Sequence, residues 1–359
     1  MPGLSNMIKK HLPTLIAVAL AGGMSVASAD VTVFGHIDTS VDFADQDGGA
    51  DTTNLNCTTC SFGFKGSEDL GNGLKAMFKI DFQYDTTERN GSSPTEVNAI
   101  TDRDQWLGLG GVFGQLRVGT ISTVYKSHGA MLDPIYRTAQ QQRDRGLQSD
   151  LHRGAGEDGQ GRATNTLRYD SPTWNGLGVG AHYTVQTETD SDSNADSPWG
   201  IGGQWQGGPF LVFADYITSD AGGDDSAWKV GGKYDLGMFS FFAQYERDDG
   251  LISARGGNQT DGSGDGANTW MLGTTAKLGN SMAYLGFGRG EEGSGGSTAS
   301  YYNVWQLVGT HSMSRRTMLY GGYSEIRCDK QDNDVCSDIG ENQGDSKDRK
   351  LSFGMKHTF

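Results

Sequence analysis

Four cysteines stand in two close pairs, Cys57-Thr58-Thr59-Cys60 and Cys328 with Cys336. A zinc site would need four thiolates in one place or added histidines, and no histidine lies near either pair. A thioredoxin-like redox motif would need a βαβ setting, which the flanking residues do not supply. Disulfide staples are the reading that fits, with their connectivity open. Histidines are scattered at His11, His36, His128, His152, His182, His311 and His357, and no G-x-S-x-G or comparable nucleophile motif accompanies them. An enzyme is therefore not expected, nor a cofactor or a metal site. What recurs is fixed charge among apolar neighbours: Lys65, Lys79, Arg103, Arg117 and Arg162, with His36, Asp38 and Asp81. Around a water-filled passage, such groups would sort solutes by charge.

The elements that would carry them begin after an address. Lys9, Lys10 and His11 precede a short apolar run, Leu15 to Ala21, and Ala27-Ser28-Ala29 supplies small residues for cleavage. Residues 1–29 thus read as a secretory signal, too short in its apolar part to span a bilayer as a helix. Met7 would serve as a start as well as Met1. Without Lys9 and Lys10, the formal net charge moves from −15 to −17. Export permits disulfides, and the acidic balance argues against a nucleic-acid partner bound through phosphates.

Residues 30–359 carry no helical stripe; they alternate with period two. Leu351, Phe353, Met355, His357 and Phe359 share one face, opposite Lys350, Ser352, Gly354, Lys356 and Thr358. Val31, Val33, Ile37, Val41 and Phe43 do the same at the start, opposite Phe34, His36, Asp38, Ser40 and Asp42. Sixteen such runs are expected: 31–43, 57–68, 74–85, 99–110, 115–121, 162–171, 177–187, 199–206, 210–218, 226–236, 239–249, 267–278, 281–290, 301–313, 317–327 and 348–359. Many are about ten residues long, the length a tilted strand needs to cross a bilayer. Short turns at Leu70-Gly71-Asn72-Gly73, Gly207-Gly208-Pro209, Leu278-Gly279-Asn280 and Ser314-Arg315-Arg316 alternate with longer acidic loops such as Asp220–Asp225, Asn258–Gly266 and Glu291–Ser300. That pattern describes an all-β, sixteen-stranded antiparallel transmembrane β-barrel with its turns toward the periplasm. The segment 122–161 stands apart, and a loop of that length is usually functional.

Such a barrel accounts for the composition. Hydrophobic residues are only 35% of the chain and mean hydropathy is −0.51, which excludes a bundle of transmembrane helices. Aromatic residues at 10% equally exclude a disordered chain. A closed barrel pairs every backbone group inside the bilayer, with one face of each strand in lipid and the other in water.

Several motifs then resemble the general-diffusion porins of the Gram-negative outer membrane. Phe34-Gly35-His36-Ile37-Asp38 resembles the family's opening strand. Residues Phe62 to Ala76, FGFKGSEDLGNGLKA, resemble its second strand and first periplasmic turn. Trp106-Leu107-Gly108-Leu109 with Phe113-Gly114-Gln115-Leu116-Arg117-Val118-Gly119 is similar to the hairpin that leads into the pore loop, and the terminal Phe359 to the signal read by the barrel-assembly machinery. The resemblance implies a homotrimer, a third loop (here 122–161) folded inward to narrow the pore, and passive diffusion of ions and small hydrophilic solutes. The chain departs from the family where many members carry arginine, at Ser61 and Thr120, and it lacks the acidic Pro-Glu-Phe-Gly segment.

With aromatic residues outward, parity faces Lys65, Lys79, Arg103, Arg117, Arg162, His36, Asp38 and Asp81 to the lumen. Asp133, Asp144, Asp150, Glu157 and Asp158 of the loop are expected opposite, giving a field across the constriction. Outer-loop acids such as Asp224, Asp225, Glu291 and Glu292 would enrich cations at the mouth, or bridge through divalent ions to lipopolysaccharide. Charge at the narrowest point should outweigh them, which favours weak selectivity or a mild anion preference. A channel specific for sugars, or for anions such as phosphate, is the alternative.

Overall fold

The computed structural model describes residues 30–47, 51–87, 100–153, 161–185, 198–218, 226–248, 267–294, 297–328 and 346–359. The signal expected at 1–29, and Glu157, Asp158 and Cys336, lie outside these residues.

Alternation is realised as one antiparallel sheet that closes on itself. Its strands are β1 (Asp30–Gln46), β2 (Thr52–Cys57), β3 (Ser61–Gly71), β4 (Leu74–Gln83), β5 (Thr101–Gly111), β6 (Gly114–Ser122), β7 (Arg162–Asp170), β8 (Leu177–Thr184), β9 (Trp199–Gly207), β10 (Phe210–Thr218), β11 (Ser226–Leu236), β12 (Phe239–Asp248), β13 (Ala267–Leu278), β14 (Ser281–Ser294), β15 (Ser297–Ser312), β16 (Thr317–Cys328) and β17 (Ser346–Thr358). Each pairs with its sequence neighbour, and β1 pairs with β17 to close the ring, Val41 opposite Phe353 and Ser40 opposite Gly354.

Both β2 and β3 pair with β1, at Thr39↔Cys57 and His36↔Ser61. They are the two halves of one stave, so the barrel has sixteen positions. The interruption falls at Thr58–Cys60, where Cys57 and Cys60 are disulfide-bonded and Thr59 takes φ 51. This pair closes locally rather than loop to loop. Cys328 is disulfide-bonded as well. The stave starts at Thr52 rather than at the expected residue 57: Thr52-Thr53-Asn54-Leu55-Asn56 has a single apolar residue and no alternation, yet pairs with Ala44 to Ser40 of β1. Much of the stretch expected as a loop at Glu291–Ser300 is strand, β14 running to Ser294 and β15 starting at Ser297.

The burial pattern is inverted relative to a water-soluble protein. Val31, Val33, Val41 and Phe43 on β1 are exposed, whereas His36, Asp38, Ser40 and Asp42 between them are buried. Only a lipid surroundings makes that arrangement favourable. One end of the barrel is closed by short turns; at Gly71-Asn72-Gly73 three successive residues take φ 85, 53 and 76, a conformation open to glycine and asparagine.

Near the other end runs a row of outward rings: Trp199 and Tyr216 at 5.4 Å, Trp228 and Tyr245 at 5.4 Å, Trp270 and Phe287 at 5.6 Å, Trp305 and Tyr323 at 5.0 Å. Amphipathic rings of this kind sit at membrane–water boundaries. The row covers β9 to β16. On β1 to β6 the one tryptophan, Trp106, instead stacks on the inward Arg117 at 5.2 Å.

Candidate functional site

Two local features place the charged side chains of β4 to β7. Ile80 pairs with Gln105 and Phe82 with Asp102, so Arg103 and Asp104 together oppose Asp81. This bulge turns two successive residues inward, and the barrel wall gains a cation and an anion at one level. A second shift lies between Gly119/Thr166 and Ile121/Ala163. There a Cβ on Gly119, which has φ +142, would fall 2.2 Å from the carbonyl of Gln105, so the backbone can pass only as glycine.

The segment after β6 then packs against buried side chains of the wall. Thr123 caps helix α1 (Val124–Gly129), its hydroxyl accepting from the Lys126 amide at 3.2 Å. Val124 lies over Gly180 and Gly202 of the wall, its methyls 3.0 and 2.8 Å from where their Cβ atoms would be. Beyond α1, 3-10 turns at Ala130–Leu132, Gln142–Arg145 and Asp150–His152 fold the chain back. Leu132, Ile135 and Leu147 pack on inward residues of β10 to β16, among them Phe213, Phe242, Met271, Val304, Val308 and Ile326. Each such side chain contributes about 1.5–3 kcal/mol when fully buried.

Polar contacts carry the segment across to the far wall. Gln142 donates to the Tyr284 hydroxyl at 3.1 Å, Tyr302 to the carbonyl of Gly146 at 2.8 Å, and Arg145 to Ser324 at 2.7 Å. Gln140 donates to Ser352 at 2.9 Å, and Lys356 to the carbonyl of Tyr136 at 2.6 Å. The segment is thereby held from β10 round to β17.

Several of the residues expected at the lumen meet one another. Lys79 Nζ lies 3.2 Å from Asp104 and 3.4 Å from Asp81; Arg103 Nε lies 3.4 Å from Asp81 and Arg162 Nε 2.9 Å from Asp104. Arg117 is paired with Asp170. Lys65 is exposed, its ammonium 5.5 Å from the Phe34 ring. His36 meets Ser61 at 3.2 Å and the Arg137 guanidinium at 3.4 Å, and Asp38 accepts from the Tyr320 hydroxyl at 2.8 Å.

The acids expected across from them behave otherwise. Asp133 is turned into its own loop, accepting from the amides of Ile135 and Gln142 at 3.0 Å each. Its carboxylate is consumed by backbone donors that the 3-10 turns leave unpaired. Burial, partly offset by those donors, pushes its carboxyl up to about 7. Asp144 sits 4.0 Å from both Arg143 and Arg153, so its charge is answered within the loop. Asp150 falls in the last 3-10 turn, of which the backbone is described.

What the loop does present is cationic. Tyr136 lies between Arg143, 5.0 Å from its ring, and Arg137, 5.6 Å from it. Burial would raise the Tyr136 hydroxyl, but Arg143, Arg137 and Arg103 outweigh it and hold it below the ordinary tyrosine value. Burial, with Arg162 and Arg143 nearby, holds the Lys126 ammonium well below its ordinary value. Sequence reasoning omitted Asp104, Arg168 and Asp170 from the lumen set. Parity from the outward Leu107 and Leu109, and from Leu167 and Tyr169, would have found all three.

A family model described as Gram-negative porin matches residues 14–331. The chain is 36% identical over 124 residues to a protein named major outer membrane protein P.IB of Neisseria meningitidis, covering 32% of this chain and 36% of that one. It is 30% identical over 195 residues to outer membrane porin protein 32 of Delftia acidovorans, covering 53% of each. The chain thus spans about a third of the length of the neisserial relative. Among solved structures, an anion-selective porin from Comamonas acidovorans superimposes with TM-score 0.73 at 20% identity, over 92% of this chain and 100% of that one. OmpF of Salmonella typhi superimposes with TM-score 0.70 at 17% identity, over 92% and 97%. These likenesses show the sixteen-stranded barrel fold.

Proposed function

The chain belongs to the Gram-negative porin family, and from that premise we propose that it forms a water-filled outer-membrane channel for passive diffusion of ions and small hydrophilic solutes. The observation that carries this reading is the set of contacts tying residues 123–153 to the buried face of the wall, from His128–Asp215 at 2.6 Å to Arg145–Asp348 at 3.1 Å. A segment fixed in that position narrows the passage without filling it by chance motion.

The narrow region carries Lys79, Arg103, Arg137, Arg143 and Arg162 against Asp81, Asp104 and Asp144 among the described residues. Cations exceed anions, and both the wall and the loop contribute them. Fixed positive charge in a low-dielectric constriction favours anions, so the channel has a mild anion preference. No catalysis is proposed, since no nucleophile with an adjacent base motif occurs in the sequence.

The functional unit is a homotrimer. The tryptophan and tyrosine rings that mark a lipid boundary line β9 to β16 and thin out over β17 to β6, which suits a sector covered by neighbouring copies. Phe359, directly after β17, serves the assembly machinery, residues 1–29 are the export signal, and outer-loop acids meet divalent cations and lipopolysaccharide. Heat-modifiable trimer bands and planar-bilayer recordings test the reading: stepwise openings in threes with an anion-side reversal potential support it, and absence of conductance from folded trimers contradicts it.

A further inference from the structure

Both ends of the inward segment meet the wall at one buried spot. Lys229 of β11 is fully buried, and its ammonium donates to the carbonyl of Tyr125 in α1. The same ammonium lies 2.9 Å from Nε2 of His152, in the last 3-10 turn, and 3.6 Å from Asp215 of β10. Asp215 meets Nδ1 of His128 at 2.6 Å. Glu246 of β12 accepts from the hydroxyls of Tyr125 at 2.9 Å and Ser149 at 2.7 Å. One lysine therefore holds the segment where it enters the lumen and where it leaves.

The tautomer of His152 follows from its partners. Nδ1 lies 3.1 Å from the carbonyl of Ser149, which can only accept, so Nδ1 carries the hydrogen. The ammonium of Lys229 can only donate, so Nε2 must offer its lone pair. We infer that Lys229 is the positioning residue of the pore segment and that a proton arriving on His152 releases it. That proton would sit on Nε2, replacing an accepted hydrogen bond with two cations in contact.

The surroundings set the direction. Arg143 donates to the His152 carbonyl at 2.9 Å, and Lys126 of α1 adds positive charge on the same side. Glu246 is the facing anion, 3.6 Å from Nδ1, and it is already engaged by Tyr125 and Ser149. Burial, then Lys229, hold the imidazole well below its ordinary value of 6.5. The clamp is thus whole above that value and is lost as the pH falls through the lower one.

This inference rests on the reading that the segment narrows the channel. The test is the frequency of closures in planar-bilayer recordings of trimers between pH 7 and pH 4. His152→Gln keeps an acceptor for Lys229 and a donor for Ser149 but does not titrate. Wild type should close about ten times more often at the acid end, and His152→Gln should lose that acid increase. Lys229→Gln should already close often at pH 7, with Lys229→Arg restoring quiet openings; a heat-modifiable band confirms folding of each variant. An acid response in His152→Gln equal to that of wild type would overturn the inference. Wild-type trimers that do not conduct would overturn the channel reading beneath it.

Discussion

Arg145 and Asp348, 203 positions apart in sequence, meet at 3.1 Å across the barrel interior. The guanidinium also donates to Ser324 at 2.7 Å, so β16 and β17 together hold the far side of the inward segment. A charge-assisted bond of this kind contributes roughly 1.5–3 kcal/mol, and the low exposure of both partners keeps it near that range. Arg145→Ala should raise open-channel current noise at neutral pH while leaving the trimer folded. A double-mutant cycle with Asp348→Ala, read from the temperature of trimer dissociation, should show coupling of about 1 kcal/mol or more; additive single effects would remove this contact from the account.

Charge neutralisation should not act equally along the lumen. Arg117 is balanced by Asp170, which also accepts from Arg168 at 2.8 Å. Among the described residues, Arg137 and Arg143 flank Tyr136 with no acid beside them other than Asp144, 4.0 Å from Arg143. Arg137→Ala is expected to move the reversal potential toward cations. Arg117→Ala should move it less. Equal shifts would mean that paired and unpaired guanidinium groups count alike in the pore.

Asp133 gives a second pH dependence, of opposite sign to that of His152. Its carboxyl titrates at about 7 in place, against an ordinary value near 4 when the segment is free in water. The raised value means that the closed arrangement is favoured with the proton on. That contribution is complete below about pH 4 and is lost as the pH rises through about 7. In His152→Gln trimers, where the histidine switch is absent, channel noise should therefore grow between pH 5 and pH 8, and adding Asp133→Asn should abolish that growth. A rise of the same size in the variant would assign it elsewhere.

Closure of the barrel depends on its last residue. Phe359 exchanges backbone bonds with Gly35, at 3.1 and 3.0 Å, and its ring lies where a side chain on Gly35 would be, 2.6 Å from a built Cβ. Gly35→Val should lower the temperature at which the folded band unfolds, by roughly one or two degrees for each kcal/mol lost. Phe359→Ala should do the same in refolded protein, apart from any loss of yield in cells. Unchanged unfolding temperatures would leave Phe359 with an assembly role alone.

The lipid-facing half of the barrel was legible because one variable decides it. Leu351, Phe353 and Met355 alternate with polar residues, and lipid accepts no other pattern. The inner face was read less fully. Phe213, Met271, Val304 and Ile326 point inward although apolar, because the loop covers them; alternation reports which side a residue faces, not what lies above it. Asp104 and Arg103 share a face only through a bulge, which parity does not register. The orientation of Asp133 depends on unpaired amides of 3-10 turns that no spacing rule announces. Lys229, Asp215 and Glu246 each follow inward parity, while their convergence on His152 needs the three-dimensional course of the segment.

The central claim is that residues 123–153 narrow an open, predominantly cationic passage. A salt-gradient reversal potential from single trimers, measured in wild type and in the Arg103→Ala, Arg137→Ala variant, tests it most directly. The account predicts a mild anion preference in wild type that moves toward cations in the variant, with the trimer still open. A cation preference in wild type that the double substitution leaves unmoved would contradict it.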